Sequence, residues 1–245
     1  NQIIFNGPVK RNEDLYRAFY DGALVHIDNA DELMRAIEIS KKSKKKISVG
    51  IRINTSSTGI ESRFGFSPEK GEVQRALDSI KKSNKLILTG LHIHVGSDVS
   101  DPAIYKKAIQ PLVKVLYDAK KMNFCLKHVD IGGGFPGHGR KPYQYESWHP
   151  LDIEGYIQII VHELLTSLEH NKYRLIIEPG RCLIDDAGVF FTKVYSRKIV
   201  NGVLHVLTDG AITMLPLVYY RPQIVRVYTS HFEEKTGKTR NAVVF

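Results

Sequence analysis

The sequence predicts an α/β protein: a (β/α) barrel, incomplete in this chain, followed by part of a β domain. Three observations carry the prediction. Apolar, strand-like runs alternate with helical patterns through the first three quarters of the chain. Polar and glycine-rich residues stand at the exits of successive runs: His92-Ile93-His94-Val95-Gly96-Ser97, Gly132-Gly133-Gly134-Phe135-Pro136-Gly137 and Glu178-Pro179-Gly180-Arg181. Chemistry gathered at strand C-termini is the layout of such barrels. Beyond residue 185 the rhythm changes to a two-residue alternation, so the expected domains are residues 1–185 and 186–245.

Six segments read as barrel strands: residues 2–5, 25–27, 47–53, 86–94, 128–131 and 175–178. A closed barrel of this class takes eight strands. The chain is therefore expected to be a piece of a larger protein. Between the second and third strands, Asp28 or Asn29 can cap a helix with Leu33, Ala36 and Ile37 at helical spacing. Residues 101–120 predict a helix with Ile104, Ala108, Leu112, Val113 and Leu116 on one face. Residues 153–168 predict another that buries Ile157, Ile160, Val161, Leu164 and Leu168. The aperiodic stretch 137–150, with Trp148, reads as a long loop. In the β domain, residues 189–196 and 203–208 alternate with period two, and Asn201-Gly202 is a strong hairpin signal.

Composition narrows the class. An apolar content of 42% with 25% charged residues suits a globular protein, and no run approaches the ~20 residues that span a membrane. The net charge of +9 invites a nucleic-acid reading. Much of the excess, however, lies in Lys41-Lys42-Ser43-Lys44-Lys45-Lys46 at a helix C-terminus, where cations complement the dipole and sit in solvent. No motif or aromatic-interleaved basic stripe supports nucleic acid. Cys125 and Cys182 read as buried free thiols of a reducing, cytoplasmic compartment.

Consecutive glycines at a strand end let backbone N–H groups turn toward an anion, so Gly132-Gly133-Gly134 is a candidate phosphate cradle, with a tight turn as the alternative. Arg181 offers a positive fork for phosphate, or a structural ion-pair partner, and Ser97 a hydroxyl. His92 and His94 share one face of a strand. They form either a metal pair or, as the neighbouring Gly96-Ser97 favours, an arrangement in which His94 stacks on a planar ring and His92 packs behind it. Glu178, at the end of its strand, needs a cationic partner: a protonated pyridine nitrogen, or Arg181.

These segments resemble the fold-type III pyridoxal-phosphate decarboxylases, the group of the diaminopimelate, ornithine and arginine decarboxylases, most closely its diaminopimelate-type branch. The resemblance runs through Ile3 to Lys10, Ser62-Arg63-Phe64-Gly65, His94 to Ser97, Asp130 to Phe135, Glu178 to Arg181, and Asp209-Gly210. It implies an alanine-racemase-like (β/α)8 barrel, pyridoxal 5'-phosphate as cofactor, decarboxylation of an amino-acid-type substrate, and a homodimer with no nucleic-acid or membrane partner. His94 and Glu178 would be the catalytic groups, stacking on the cofactor ring and pairing with its nitrogen. Ser97, Gly133, Gly134, Gly180 and Arg181 would hold the phosphate, and Arg52 would lie close by. No lysine here matches the one that carries the cofactor in the family. Leu215-Pro216 stands where the diaminopimelate branch has an arginine before the proline, which argues against diaminopimelate itself and towards relatives that act on amino acids attached to larger carriers. Two competing readings are a non-catalytic relative that acts as a regulator and a metal-dependent barrel hydrolase using His92 and His94.

Overall fold

A computed structural model describes residues 3–55, 62–137, 150, 152–167, 173–185, 187–219, 223–237 and 242–244. The described chain divides into two compact units, the first comprising residues up to Gly137 and from Pro150 to Leu183, the second running from Ile184 onward.

The first unit is a sheet of six parallel strands in sequence order: β1 (Ile4–Phe5), β2 (Leu24–Ile27), β3 (Ile47–Arg52), β4 (Leu86–His92), β5 (His128–Asp130) and β6 (Arg174–Ile176). Between them run α1 (Asn12–Tyr20), α2 (Ala30–Lys41), α3 (Glu72–Lys82), α4 (Ala103–Lys121) and α5 (Ile153–Ser167). This is the incomplete (β/α)8 barrel that the sequence predicts. Val25, Ile27, Val49, Ile51, Leu88, Leu91 and Val129 are buried, as in parallel sheets covered on both faces. Helix faces complete the core. Val73, Ala76, Leu77 and Ile80 of α3 recur at i, i+3, i+4 and i+7, and α4 buries Tyr105, Ala108, Ile109, Leu112 and Leu116. In α5 the buried residues are Tyr156, Ile160 and Leu164, while Ile157 and Val161 are only half-buried.

Asn29 caps α2, its side chain accepting from the Glu32 N–H at 2.9 Å, while the Glu32 carboxylate accepts from the Asp28 N–H at 2.7 Å. The Asn29 side chain thereby satisfies one orphan donor of the first turn, and Glu32 reaches back to the residue before the cap. The lysine run after α2 is exposed apart from the half-buried Ser43, as expected of a solvated turn. The cysteines correct an expectation. Both are free, but Cys125 is exposed and Cys182 half-buried, because Cys125 falls in the irregular link between α4 and β5. The loop expected at 137–150 and the predicted helix end at Leu168 lie outside the described residues. No helix among the described residues is long and apolar enough to cross a membrane.

The short helix α6 (Arg181–Ile184) leads into the second unit, where β7 (Val194–Val200), β8 (Val203–Thr208) and β9 (Ala242–Val244) form a three-stranded sheet. Asn201 and Gly202 have φ of 49° and 79°, the double left-handed turn of a tight hairpin, and Val200 pairs with Val203. The first strand of this hairpin runs over 194–200 rather than 189–196. The turn sets the register, and the Asp209 carboxylate takes the Thr192 hydroxyl and the Lys193 N–H, each at 2.7 Å, ahead of the strand. Those two bonds, the hydroxyl first, hold the Asp209 acid below the usual carboxylate range.

Candidate active site

The sheet's hydrogen-bond ladder continues past the strand ends. Ile53 N–H donates to His92 O at 2.7 Å, Ile93 to Asp130 O at 2.9 Å, Ile131 to Ile176 O at 3.0 Å and Glu178 to Gly132 O at 2.8 Å. The segments expected to carry chemistry are thus held in register with the strands that precede them.

At this rim, Gly132 and Gly134 have φ of +70° and +105°, a region open to glycine at no steric cost. Asp130 Oδ1 accepts from Gly132 N–H at 2.8 Å, and His94 Nδ1 accepts from Gly133 N–H at 3.2 Å. The outer nitrogen of His94 therefore carries the ring proton while the imidazole is neutral, the form that burial, and then the nearby Arg52, favours. The loop is braced from behind: the Tyr105 hydroxyl donates to Gly133 O at 3.0 Å, and the Tyr105 ring stacks on Phe135 with centroids 5.4 Å apart. A Cβ on Gly134 would press on Gly96 O and on that hydroxyl, whereas a Cβ on Gly96 or Gly180 would meet nothing within 4 Å. Gly96 and Gly180 thus face open space beside the glycine loop. Arg181 Nε lies 3.1 Å from Asp98 Oδ1, so its described ion pair is with Asp98, next to Ser97.

Glu178 takes its hydrogen bond from the Asn6 side-chain amide, with His92 Nε2 3.9 Å from its Oε1. Arg52, at the end of β3, is buried, pairs with Asp28 at 3.3 Å and lies over the Phe64 ring at 5.1 Å. The Asp130 carboxyl is pushed up to about 8 by burial and by the charge of Glu178 beside it. Glu178 is also raised by burial, against the pull of Asp130's proton, Arg52 and Asn6. One proton on Asp130 relieves both groups and leaves Glu178 as the site's anion.

Beneath the rim lies a layer of imidazoles. His26 pairs in register with Gly50, Gly50 with Gly90, and Gly90 with His128. An added Cβ on Gly50 would overlap the His26 ring, and one on Gly90 the His128 ring. The two glycines clear the path by which His26 Nε2 meets His128 Nε2 at 3.1 Å. His92 stacks flat on His26, with centroids 4.9 Å apart and planes 11° apart. Burial first, and then neighbouring cations, hold His26 down to about 3 and His128 to about 4. Neither ring nitrogen of His92 finds a hydrogen-bond partner among the described residues.

The structure thus brings His94, Gly133, Gly134, Glu178 and Arg52 to one rim, together with the Asp98–Arg181 pair, Ser97 being the residue before Asp98. The metal pair weighed from sequence, His92 with His94, is not the set that converges. The ligand atoms that lie within 4.8 Å of one another belong to His26, Asp130 and Glu178. Both nitrogens of His26 are already engaged there, by Asn6 at 2.6 Å and by His128. Asn6, His26, His128, Asp130 and Tyr105 were not anticipated as site residues. Lys10 is buried, with its ammonium 2.8 Å from each of Gly7 O, His26 O and Glu32 Oε1. Two hydrogen bonds to carbonyls and an ion pair with Glu32 tie it to the framework of the sheet and α2.

Residues 1–185 match the family described as "Pyridoxal-dependent decarboxylase, pyridoxal binding domain". The chain is 28% identical over 254 residues to diaminopimelate decarboxylase of Aquifex aeolicus, covering 99% of this chain and 57% of that protein. The Bacillus subtilis diaminopimelate decarboxylase is 30% identical over 227 residues, covering 85% and 50%. Among solved structures, Helicobacter pylori diaminopimelate decarboxylase complexed with L-lysine superposes with TM-score 0.76 at 24% identity, covering 94% of this chain and 58% of that one. The Paramecium bursaria Chlorella virus arginine decarboxylase bound to agmatine gives 0.75 at 18% identity, covering 92% and 58%. The chain spans about half the length of the relatives it matches.

Proposed function

Since the chain belongs to the pyridoxal-dependent decarboxylases, through their pyridoxal binding domain, we propose that it is the cofactor-binding portion of an enzyme that decarboxylates an amino acid, or a substrate bearing one, with pyridoxal 5'-phosphate. The observation that supports this most is the pairing of two opposite demands at one rim. Glu178 is a half-buried anion aimed where a pyridine N–H could meet it. The glycine loop, Gly180 and Arg181 offer backbone donors, open space and a cation where a phosphate could sit. The donor set fits the cofactor at both ends. When bound, the cofactor supplies the electron sink for the carbanion left by loss of carbon dioxide.

In this reading His94 lies against the ring face, oriented by Gly133 N–H, and Glu178 holds a proton on the ring nitrogen. Ser97, Gly133, Gly134, Gly180 and Arg181 hold the phosphate, and Arg52 steadies the charge of Glu178. Residues 1–185 are the cofactor barrel and 186–245 the opening part of the β domain. The enzyme works as a homodimer in the cytoplasm, without nucleic-acid or membrane partners. The test is Glu178→Gln. Cofactor affinity, followed by absorbance, should fall at least tenfold but remain measurable, while decarboxylation falls at least a hundredfold, about 2.7 kcal/mol of barrier. Full activity in that variant would remove Glu178 from the reaction.

A further inference from the structure

We propose that His128, His26 and Asn6 form a one-way hydrogen-bond chain across the barrel interior that ends on Glu178 and holds it as an acceptor. These three would be positioning residues for the proposed reaction.

The direction follows from valence. An ionised carboxylate only accepts, so Glu178 meets the NH2 of the Asn6 amide. That leaves Asn6 Oδ1, which also only accepts, facing His26 Nδ1 at 2.6 Å. His26 must therefore carry its proton on Nδ1. A neutral imidazole then has a bare Nε2, and the partner of that atom, His128 Nε2 at 3.1 Å, must be the donor. The chain runs from His128 Nε2–H to His26 Nε2, from His26 Nδ1–H to Asn6 Oδ1, and from Asn6 Nδ2–H to Glu178 Oε1.

The opposite direction requires a proton on Glu178, because every link would have to reverse together. A His26 protonated on Nε2, two links away, would thus report a protonated Glu178. The surroundings favour the stated direction. His26 is stacked against His92, which fixes its ring plane, and Asp130 Oδ2, 3.6 Å from His26 Nδ1, belongs to a carboxyl that burial and the adjacent Glu178 hold protonated and so does not draw the Nδ1 proton away from Asn6. Gly50 and Gly90 make the first link possible, since a side chain on either would occupy the space of a ring.

The inference rests on the function proposed above for its consequence, but not for its geometry, and two measurements separate the two. Long-range proton–nitrogen correlation spectra of the uniformly 15N-labelled protein near neutral pH read the tautomers without any cofactor. His26 should appear as the Nδ1–H form and His128 as the Nε2–H form. A His26 protonated on Nε2, or a cationic His26, overturns the chain whatever the protein catalyses. The second measurement titrates pyridoxal phosphate by absorbance into His128→Leu and His128→Gln. Loss of the terminal donor leaves His26 Nε2 bare and frees the Asn6 amide to turn its oxygen toward Glu178, so the leucine variant should bind about tenfold more weakly. Glutamine, which restores an N–H, should recover most of that loss. Equal affinity in all three proteins overturns the positioning role. Correct tautomers in a protein that binds no pyridoxal phosphate would instead sink the proposed function and leave the chain standing.

Discussion

The rim of the barrel and the layer beneath it both depend on glycine, for unrelated reasons. At the rim, Gly132 and Gly134 are needed for their backbone angles: φ of +70° and +105° make the turn that brings the Gly132 and Gly133 amides to Asp130 and His94. In the layer beneath, Gly50 and Gly90 have ordinary strand backbones and are needed for the volume they leave empty, which two imidazoles fill. Substitution at the rim costs backbone strain first, and then presses on fixed backbone oxygens, Ile93 O beside Gly132 and Gly96 O beside Gly134. Substitution in the interior leaves the backbone relaxed and expels a neighbour.

Acid should break the interior first and with the largest effect. His26 and His128 have folded values near 3 and 4, below the ordinary imidazole value of 6.5, so the unfolded chain binds more protons and stability falls as pH drops from about 6.5. Each histidine contributes about 1.4 kcal/mol per pH unit within its window. Asp130 runs the other way. Its folded value, raised to about 8 from 3.8, makes the folded state the better proton binder, so stability also falls as pH rises from about 4 to 8. Below 6.5 these histidines, with His92 and His94 lowered by burial in the same way, outweigh the raised carboxyls, and above it Asp130 and Glu178 act without them. Urea unfolding across pH should therefore show a maximum near 6.5, and Asp130→Asn should flatten the alkaline limb. A plateau from pH 6 to 8 in the parent protein would contradict this account of Asp130.

Gly90→Ala comes next, with an expected loss of about 3 kcal/mol, because the new methyl group overlaps the His128 ring. Pairing it with His128→Ala should recover most of the loss, and strictly additive losses would mean the clash lies elsewhere. At the rim, Gly134→Ala should cost about 1–2 kcal/mol through its positive φ and its contact with Gly96 O, without altering the histidine spectra. The smallest effect is expected of Tyr105→Phe, which removes the bond to Gly133 O and should cost about 1 kcal/mol by thermal unfolding. In that variant the exchange of loop amides should rise more than that of the α4 core.

The order of strands, the hairpin at Asn201-Gly202 and the three rim motifs were all legible in the sequence, because each rests on local signals: apolar runs, turn residues and glycine clusters. Helix α3 was legible too, since Val73, Ala76, Leu77 and Ile80 carry a full helical period, yet it was not anticipated. The nine-residue α1 buries only Leu15 and offers little pattern to read. The histidine layer could not be read along the chain. His26 and His128 are 102 residues apart, and each looks like a lone histidine in an apolar strand. Their meeting depends on the register that sets Gly50 against Gly90, which in turn depends on a bulge after Val49, where Thr89 is the extra residue on β4. Such an irregularity leaves no mark in residue order. The Asp98–Arg181 pair was missed for the same reason, and the Arg181–Glu178 alternative weighed in its place is not the pairing the structure shows.

The ladder that runs beyond the strand ends has a consequence for timescale. Ile93 and Ile131 donate their amides to the last residues of the neighbouring strands, and Glu178 to Gly132 just past one, so solvent deuterium reaches these protons only when neighbouring strands part together. Their exchange should keep pace with that of Val49 and Leu88 deep in the sheet, on the slow clock of cooperative opening rather than the fast one of loop fluctuation. A binding surface made this way waits in its final shape, and an incoming molecule spends little of its affinity on ordering it.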